Sequence, residues 1–381
     1  MSGGEHRLIL TGGGTGGHVY PALAVADELK DDPEVKAILY IGAKGHLEER
    51  LARERGLDFV GFDVSGLPRS VSPKLVTWPF QMVQAIGQCS ALFGRFKPTA
   101  VLGTGGYASA PPLTCAATSG IPYAVHEPDA HPGLVNRLYA KNASVVSCGM
   151  EAAKERLVSK VGETVFNGNP VRKGFVHMIE KEKAARQLGL VSHLPTLIIT
   201  GGSQGAQAIN DAVFAMLPTL FSDTNTMQVI HQVGEKNFAN YKEQLPHEIL
   251  TSARYCYRAY FEDLSVAYAL SDLAVSRAGA MTISELCVTS TPSIFIPYPF
   301  AAQNHQEHNA RALEAKGAAT VILQKDLNPG LLATTVKSLL FDREKLKKMK
   351  EAAGQMGKPN AARDIAEMLK RLSSGYQSKS S

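Results

Sequence analysis

Apolar residues in this chain fall into short continuous runs separated by stretches of helical spacing, and most runs end in small or polar loops. In the first half the runs lie near residues 7–11, 37–41, 58–63, 99–103, 121–125 and 144–148, and they predict short buried strands. Between them the spacing predicts helices, among them Val19–Leu29, Leu47–Arg55 and Leu75–Phe96. Such alternation predicts an α/β fold with a parallel, doubly wound sheet. The pattern pauses at Asn167-Gly-Asn-Pro-Val-Arg-Lys173, a turn-forming cluster that reads as a domain junction. After a polar helix at Glu180–Leu188 the opening plan recurs: strand Thr196–Thr200, loop Gly201-Gly-Ser-Gln-Gly205, helix Ala206–Leu217. Further strands are predicted near 227–231, 254–258, 272–275, 293–296 and 319–323. The recurrence predicts a second Rossmann-like domain, and two such domains facing each other leave a cleft at their strand ends. An amphipathic helix closes the chain at Pro359–Leu372, and the Ser/Lys-rich residues after it read as disordered.

The loops carry the candidate chemistry. After the first strand comes Gly12-Gly-Gly-Thr-Gly-Gly-His18, then a helix with Pro21 in its first turn. Strand, glycine loop and helix together present backbone N–H groups to an anion. The spacing Gly12-x-Gly14-x-x-Gly17 matches a dinucleotide fingerprint, but the second strand runs into Gly42-Ala43-Lys44 with no acid for a ribose. No Gly-Lys-Ser/Thr follows, which argues against a nucleotide triphosphatase loop. A third reading is a site for a phosphate-bearing substrate with His18 as general base. A fourth makes His18 a polar residue at a helix start with no chemical task. Polar loops also follow later strands, at Gly103-Thr-Gly-Gly-Tyr-Ala-Ser109 and His126-Glu-Pro-Asp-Ala-His-Pro-Gly133.

In the second half, Ser276-Arg-Ala-Gly-Ala-Met-Thr-Ile-Ser-Glu285 reads as strand end, small-residue loop and helix start, whose N–H groups suit a diphosphate. Glu285, about one turn further on, suits the two hydroxyls of a ribose. Gln303, Asn304, His305 and Gln306 stand at another helix start, where amides and imidazoles suit sugar hydroxyls. His305 and His308 invite a metal reading, but no Cys or carboxylate set adds ligand spacing, and there is no Asp-x-Asp to clamp a metal on a diphosphate.

Composition changes this picture in two places. The 381 residues are 44% hydrophobic and 20% charged, ordinary for a globular chain of two domains. The five Cys are scattered without CxxC and read as reduced thiols. No signal-peptide pattern opens the sequence, and no apolar run is long enough to span a bilayer. Of the net charge of +5, the notable part lies between Val64 and His126, which holds no Asp or Glu but does hold Arg69, Lys74, Arg95 and Lys97. Leu75, Trp78 and Phe80 lie beside Lys74 and Arg69. Aromatics beside cations suit a lipid headgroup interface, and the competing reading is a helix facing the core.

Taken in order, Gly13-Gly-Thr-Gly-Gly-His18, Gly103-Thr-Gly-Gly-Tyr107, His126-Glu127, Gly168-Asn-Pro-Val-Arg172, Gly201-Gly-Ser-Gln-Gly205, Arg277–Glu285 and His305-Gln306 resemble the MurG family of bacterial N-acetylglucosaminyltransferases. The resemblance runs from about Arg7 to Ala361. It implies a GT-B fold: an N-terminal domain at 1–170 with a returning helix at 359–373, a C-terminal domain at 171–358, and a disordered tail at 374–381. It implies inverting transfer of N-acetylglucosamine from UDP-GlcNAc to the 4-hydroxyl of the muramyl sugar of lipid I. The product is lipid II, made at the cytoplasmic membrane face without cofactor or active-site metal. Implied partners are UDP-GlcNAc, lipid I, an anionic membrane surface and other cell-wall synthesis proteins, and no nucleic acid.

Matched by motif, His18 takes the place of the family's proposed general base. Thr15, Gly16 and Gly17 match the first glycine loop, and Arg172 and Ser203 match positions near the donor diphosphate. Phe261 matches a backbone contact to uracil. Ala280, Met281, Thr282, Ile283 and Ser284 match the diphosphate-facing helix start, Glu285 the ribose carboxylate and Gln306 a sugar contact. The membrane surface would be met by Leu75, Trp78, Phe80, Lys74 and Arg69. One departure stands out. The family usually reads His-Glu-Gln-Asn, with the Asn on the donor sugar, whereas this chain reads His126-Glu-Pro-Asp129. An ionised Asp129 only accepts hydrogen bonds, so either it keeps the contact in altered form or the segment His126–Gly133 is shaped differently. Two other readings stay open: a transferase of this fold with another lipid acceptor such as a diacylglycerol, and a nucleotide-sugar-binding protein without catalysis.

Overall fold

The computed structural model describes residues 5–66, 73–202, 205–222, 226–301 and 304–380. Arg69, Ser203 and Gln303 lie outside the described residues. The chain divides into two compact units, Met1–Val171 with Pro359–Ser381, and Arg172–Lys358.

In the first unit, strands β1 (His6–Thr11), β2 (Val35–Ala43), β3 (Asp58–Phe62), β4 (Ala100–Gly103), β5 (Tyr123–Glu127), β6 (Val145–Cys148) and β7 (Glu163–Phe166) form one sheet in the order β3-β2-β1-β4-β5-β6-β7. Every pairing is parallel. β7 is absent from the predicted set. It is a short, partly exposed edge strand, Glu-Thr-Val-Phe, so it shows no continuous apolar run. The inner strands do, because both their faces are covered. Leu8 and Leu10 point to one face of β1 with Val19 and Leu23 of helix α1 (Gly16–Leu29). Ile9 points to the other. There it meets side chains of α3 (Pro73–Phe96) and α4 (Ala110–Thr118), which follow the short α2 (Leu47–Glu54) and precede α5 (Leu134–Ala140).

Ala85, Cys89 and Phe93 make a buried stripe at four-residue spacing along α3, while Phe80 is 74% and Val83 69% exposed. The helix therefore has a core face and, apart from it, an outward apolar pair. Lys74 and Leu75 fall within α3, and the half-buried Trp78 donates its indole N–H to the Ser65 carbonyl at 2.9 Å.

The second unit repeats the plan. Strands β8 (Thr196–Thr200), β9 (Gln228–Gln232), β10 (Tyr255–Arg258), β11 (Leu273–Ser276), β12 (Ser293–Phe295) and β13 (Ala319–Val321) run parallel in the order β10-β9-β8-β11-β12-β13. Helix α6 (Gln207–Phe221) follows β8, α7 (Ala280–Val288) follows β11, and α8 (His305–Ala315) follows β12.

Helix α9 (Ala361–Ser380) returns the chain to the first unit and covers the same sheet face as α1 with Ile365 and Leu369. Lys370 bonds Asp32 at 2.7 Å and Glu34 at 3.2 Å, and the Ser373 hydroxyl meets His6 Nδ1 at 2.7 Å and Thr99 at 2.6 Å. The stretch 374–380, expected to be disordered, continues this helix to Ser380. Tyr376 packs on the core, and the Gln377 amide donates to the Glu5 carbonyl at 2.9 Å. These two contacts anchor a segment whose Ser/Lys composition alone argued against order.

Candidate functional site

In an open parallel sheet the order of strands reverses at one point, and the loops leaving the two flanking strands stand side by side there. In the first unit that point lies between β1 and β4, so Gly12–Thr15 and Thr104–Gly106 are neighbours. They touch backbone to backbone: the Gly13 N–H donates to the Gly105 carbonyl at 3.3 Å. A Cβ on Gly106, whose φ is +79°, would come within 2.0 Å of the Gly13 carbonyl oxygen. Only glycine permits this approach.

The half-buried His18 stands on the first turn of α1, its carbonyl accepting from the Thr104 hydroxyl at 2.6 Å. Its Nδ1 lies 3.3 Å from the Thr15 hydroxyl. A Cβ on Gly105 would meet both the His18 ring, at 2.8 Å, and the Asn136 amide, at 3.1 Å. Thr15 is exposed, and Gly16 and Gly17 are half-buried. Behind the loop lies Glu48, a buried acid whose Oε1 accepts from the Ala43 N–H at 3.1 Å.

The segment His126–Gly133 is organised by Glu127. Its carboxylate accepts from the backbone N–H groups of Asp129 and Gly133, both at 2.9 Å, and from the Asn136 amide at 2.8 Å. His126 is buried between the Ser147 hydroxyl and Asn169 Oδ1, each 3.0 Å away, and burial pushes its pKa down to about 4, so the ring is neutral. The Pro128 carbonyl accepts from the Asn169 amide at 3.0 Å, and Asp129 is half-buried.

Burial raises the Glu127 pKa from 4.5 to about 7, against the opposing pull of its three hydrogen bonds. The folded protein therefore holds this proton more tightly than the unfolded chain. The resulting stabilisation is full below pH 4.5 and is lost as the pH rises through about 7. Glu127→Gln should flatten the dependence of the denaturation midpoint on pH in that window. Equal slopes in parent and variant would mean that the carboxylate ionises in place as easily as in water.

The reversal point of the second unit lies between β8 and β11 and brings Gly201, Gly202 and Gly205 beside Arg277 and Gly279. These loops line a cavity of about 670 Å3 together with Ala206, Gln207, Ala208, Asp211, Thr282, Tyr298, Gln306 and Gln324. Helix α7 begins at Ala280 after Gly279, a cap residue that has no side chain to bond the first N–H groups. Ala280, Met281 and Ile283 are buried, and the Ser284 hydroxyl turns back to the Ala280 carbonyl at 2.9 Å. Gln306 accepts the Tyr298 N–H at 3.0 Å.

Further along α7 the buried Glu285 accepts from Arg172 Nη2 at 3.2 Å, and the guanidinium of Arg172 lies 4.8 Å from the Phe175 ring centroid. Burial pushes the Glu285 pKa up, and Arg172 opposes that. Arg172 and Glu285 thus meet each other rather than lining the cavity. The Phe261 N–H donates to Gln232 Oε1 at 3.0 Å, while Gln232 Nε2 donates to Thr200 Oγ1 at 3.2 Å and to the Gly202 carbonyl at 3.3 Å.

Arg277, Gln324 and Gln232 had no assigned role in the sequence reading. Arg277 was findable, since it opens the small-residue loop after β11. Gln232 and Gln324 end or follow other strands and become visible only through the contacts they make. Among the described residues, no group of three or more His, Cys, Asp or Glu is placed to hold a metal ion.

Two family models match in order, the glycosyltransferase family 28 N-terminal domain over residues 8–147 and the family 28 C-terminal domain over residues 196–368. A relative from Halothermothrix orenii is named UDP-N-acetylglucosamine–N-acetylmuramyl-(pentapeptide) pyrophosphoryl-undecaprenol N-acetylglucosamine transferase. It is 37% identical over 97% of this chain and 100% of its own length. A relative of the same name from Desulfitobacterium hafniense is 40% identical over 95% of this chain and 98% of its own. The crystal structure of MurG from Acinetobacter baumannii superposes with a TM-score of 0.75 at 25% identity, covering 96% of this chain and 99% of that one. Two Rossmann-like units on the GT-B plan, both family domains in order and full-length relatives at this identity lead to one assignment: the chain belongs to glycosyltransferase family 28, in its MurG branch.

Proposed function

We propose that this protein moves N-acetylglucosamine from UDP-GlcNAc to the 4-hydroxyl of the muramyl sugar of lipid I, forming lipid II with inversion at the anomeric carbon. The observation that carries this reading is the cavity of the second unit. Two backbone loops, a helix start and the half-buried cation Arg277 converge there. That set suits a diphosphate, and Gln306 at the rim suits a sugar hydroxyl.

In the proposed reaction the acceptor oxygen attacks the anomeric carbon, and the bond from that carbon to the diphosphate oxygen breaks with its electron pair. The acceptor proton passes to His18. We assign the tautomer that carries its proton on Nδ1, 3.3 Å from the Thr15 oxygen, which makes Nε2 the basic nitrogen. N–H groups at the start of α7 and Arg277 answer the charge gathering on the leaving diphosphate. Gly16 and Gly17 border this base, Glu285 is assigned to the ribose, and the carbonyl at Phe261 is left for uracil because its N–H is engaged. Asp129 is assigned to the sugar, as an acceptor only.

The test is incubation of the purified protein with labelled UDP-GlcNAc and a lipid I analogue, with and without EDTA. Labelled disaccharide in both arms is the expected result. Product on diacylglycerol instead, donor binding without product, or a metal-restorable loss in EDTA would overturn the reading.

A lipid-linked acceptor requires the enzyme to work at a membrane surface, and among the described residues no helix is long and apolar enough to cross one. We assign peripheral contact at the cytoplasmic face to α3, where Phe80 and Val83 are large exposed apolar residues. Phe80→Ser with Val83→Ser should cut cosedimentation with anionic vesicles by about tenfold. Full retention would assign these side chains no lipid contact.

A further inference from the structure

Arg277 is a cavity cation whose hydrogen-bond partners among the described residues are all neutral. Nη1 donates to the carbonyls of Ile296 at 2.9 Å and Pro297 at 3.1 Å, and Nη2 donates to Gln324 Oε1 at 2.7 Å. Its guanidinium carbon lies 5.5 Å from the Tyr298 ring centroid. Among the described residues no carboxylate pairs with it. Arg172, in the same unit, shows the contrast, since Glu285 answers its charge. Asp211, the acid lining the cavity, is engaged by the Tyr241 hydroxyl. Burial lowers the Arg277 pKa to about 10, which leaves it charged at neutral pH.

A guanidinium has five N–H donors. Two backbone carbonyls and one amide oxygen take three of them, and the remaining N–H groups suit the paired contact that a phosphate makes. The choice of amide at 324 matters because a carboxylate there would make the same bond while cancelling the charge.

We propose that Gln324 is a positioning residue: its neutral amide oxygen orients Arg277 toward the diphosphate of the donor and leaves the positive charge for that ligand. This rests on the reading of the cavity as the UDP-GlcNAc site.

The test compares binding of UDP and of uridine, by calorimetry, to the full-length wild type, Gln324→Glu and Gln324→Leu. In Gln324→Glu the UDP affinity should fall about tenfold or more, and the KM for UDP-GlcNAc should rise in step. Uridine affinity should stay within about twofold, because uridine has no phosphate to lose. Gln324→Leu, which removes the bond but adds no charge, should weaken UDP by a smaller factor.

Unchanged UDP binding in Gln324→Glu, or parallel losses of UDP and uridine, would overturn the proposal. If Gln324→Glu fails to fold by circular dichroism, Gln324→Leu decides: a loss confined to UDP supports the proposal and unchanged UDP binding overturns it. A wild type that binds UDP no better than uridine would overturn the donor reading itself, which sets that failure apart from a failure at Gln324.

Discussion

His18→Ala should lower turnover on a lipid I analogue by about 100-fold or more while leaving the dissociation constant for UDP nearly unchanged. The asymmetry follows from where the groups stand. His18 belongs to the glycine-loop cluster of the first unit, with Thr15, Thr104, Gly105 and Asn136 around it. The residues assigned to the diphosphate line the cavity of the second unit. A group that only accepts the acceptor's proton contributes to the transition state and not to donor binding. His18→Gln makes the test sharper, since it keeps a polar side chain at the turn but removes the titratable nitrogen. Both variants should lose turnover together. Thr15→Val should cost less, because it removes only the partner 3.3 Å from Nδ1 and leaves the ring on Gly105. Retained turnover in His18→Ala would take the imidazole out of the mechanism and leave it as a residue that helps set the first turn of α1.

What the sequence could and could not disclose follows the same division between local and tertiary causes. The inner strands were legible because both faces of each are covered, which forces a continuous apolar run such as Leu8–Leu10. The glycine loops were legible because backbone passing within contact distance of backbone, as at Gly13 and Gly106, admits no side chain. β7 was not, since an edge strand needs only partial cover. The helix to Ser380 was not, since it depends on contacts to Glu5 and to the core that composition does not encode.

His18, Glu285 and Gln306 were singled out from motif spacing, but the partners that the structure gives them were not legible there. Glu127 illustrates the limit. Its neighbours Asp129 and Gly133 are close in sequence, yet its role as acceptor for both backbone N–H groups depends on burial at the end of β5. The same holds for the departure at Pro128-Asp129. The loop there is fixed by Glu127 and Asn169, neither of which the substitution alters.

Glu285→Ala should weaken UDP binding about tenfold or more and also destabilise the protein. The stability part comes from Arg172. Its side chain is 25% exposed and packs on Phe175, so removing Glu285 takes away the carboxylate that this largely buried cation faces at 3.2 Å. Breaking a buried pair costs about 3–5 kcal/mol, and the residual exposure of Arg172 points to the lower end, about 3 kcal/mol. The binding part comes from position along α7. Glu285 stands five residues after Ala280, about 7.5 Å along the axis. A nucleotide lying along that helix with its diphosphate at the start would bring its ribose past the carboxylate.

The two effects separate in Glu285→Ala with Arg172→Met. The double variant removes both charges, so stability should return toward wild type while UDP affinity stays low. Wild type should also discriminate against 2′-deoxy-UDP, and Glu285→Ala should not. If the double variant regained UDP affinity along with stability, Glu285 would act only by answering Arg172, and the ribose would have to be held elsewhere. If the single variant bound UDP like wild type, the nucleotide would not lie along α7, and the diphosphate assignment at the start of that helix would fall with it.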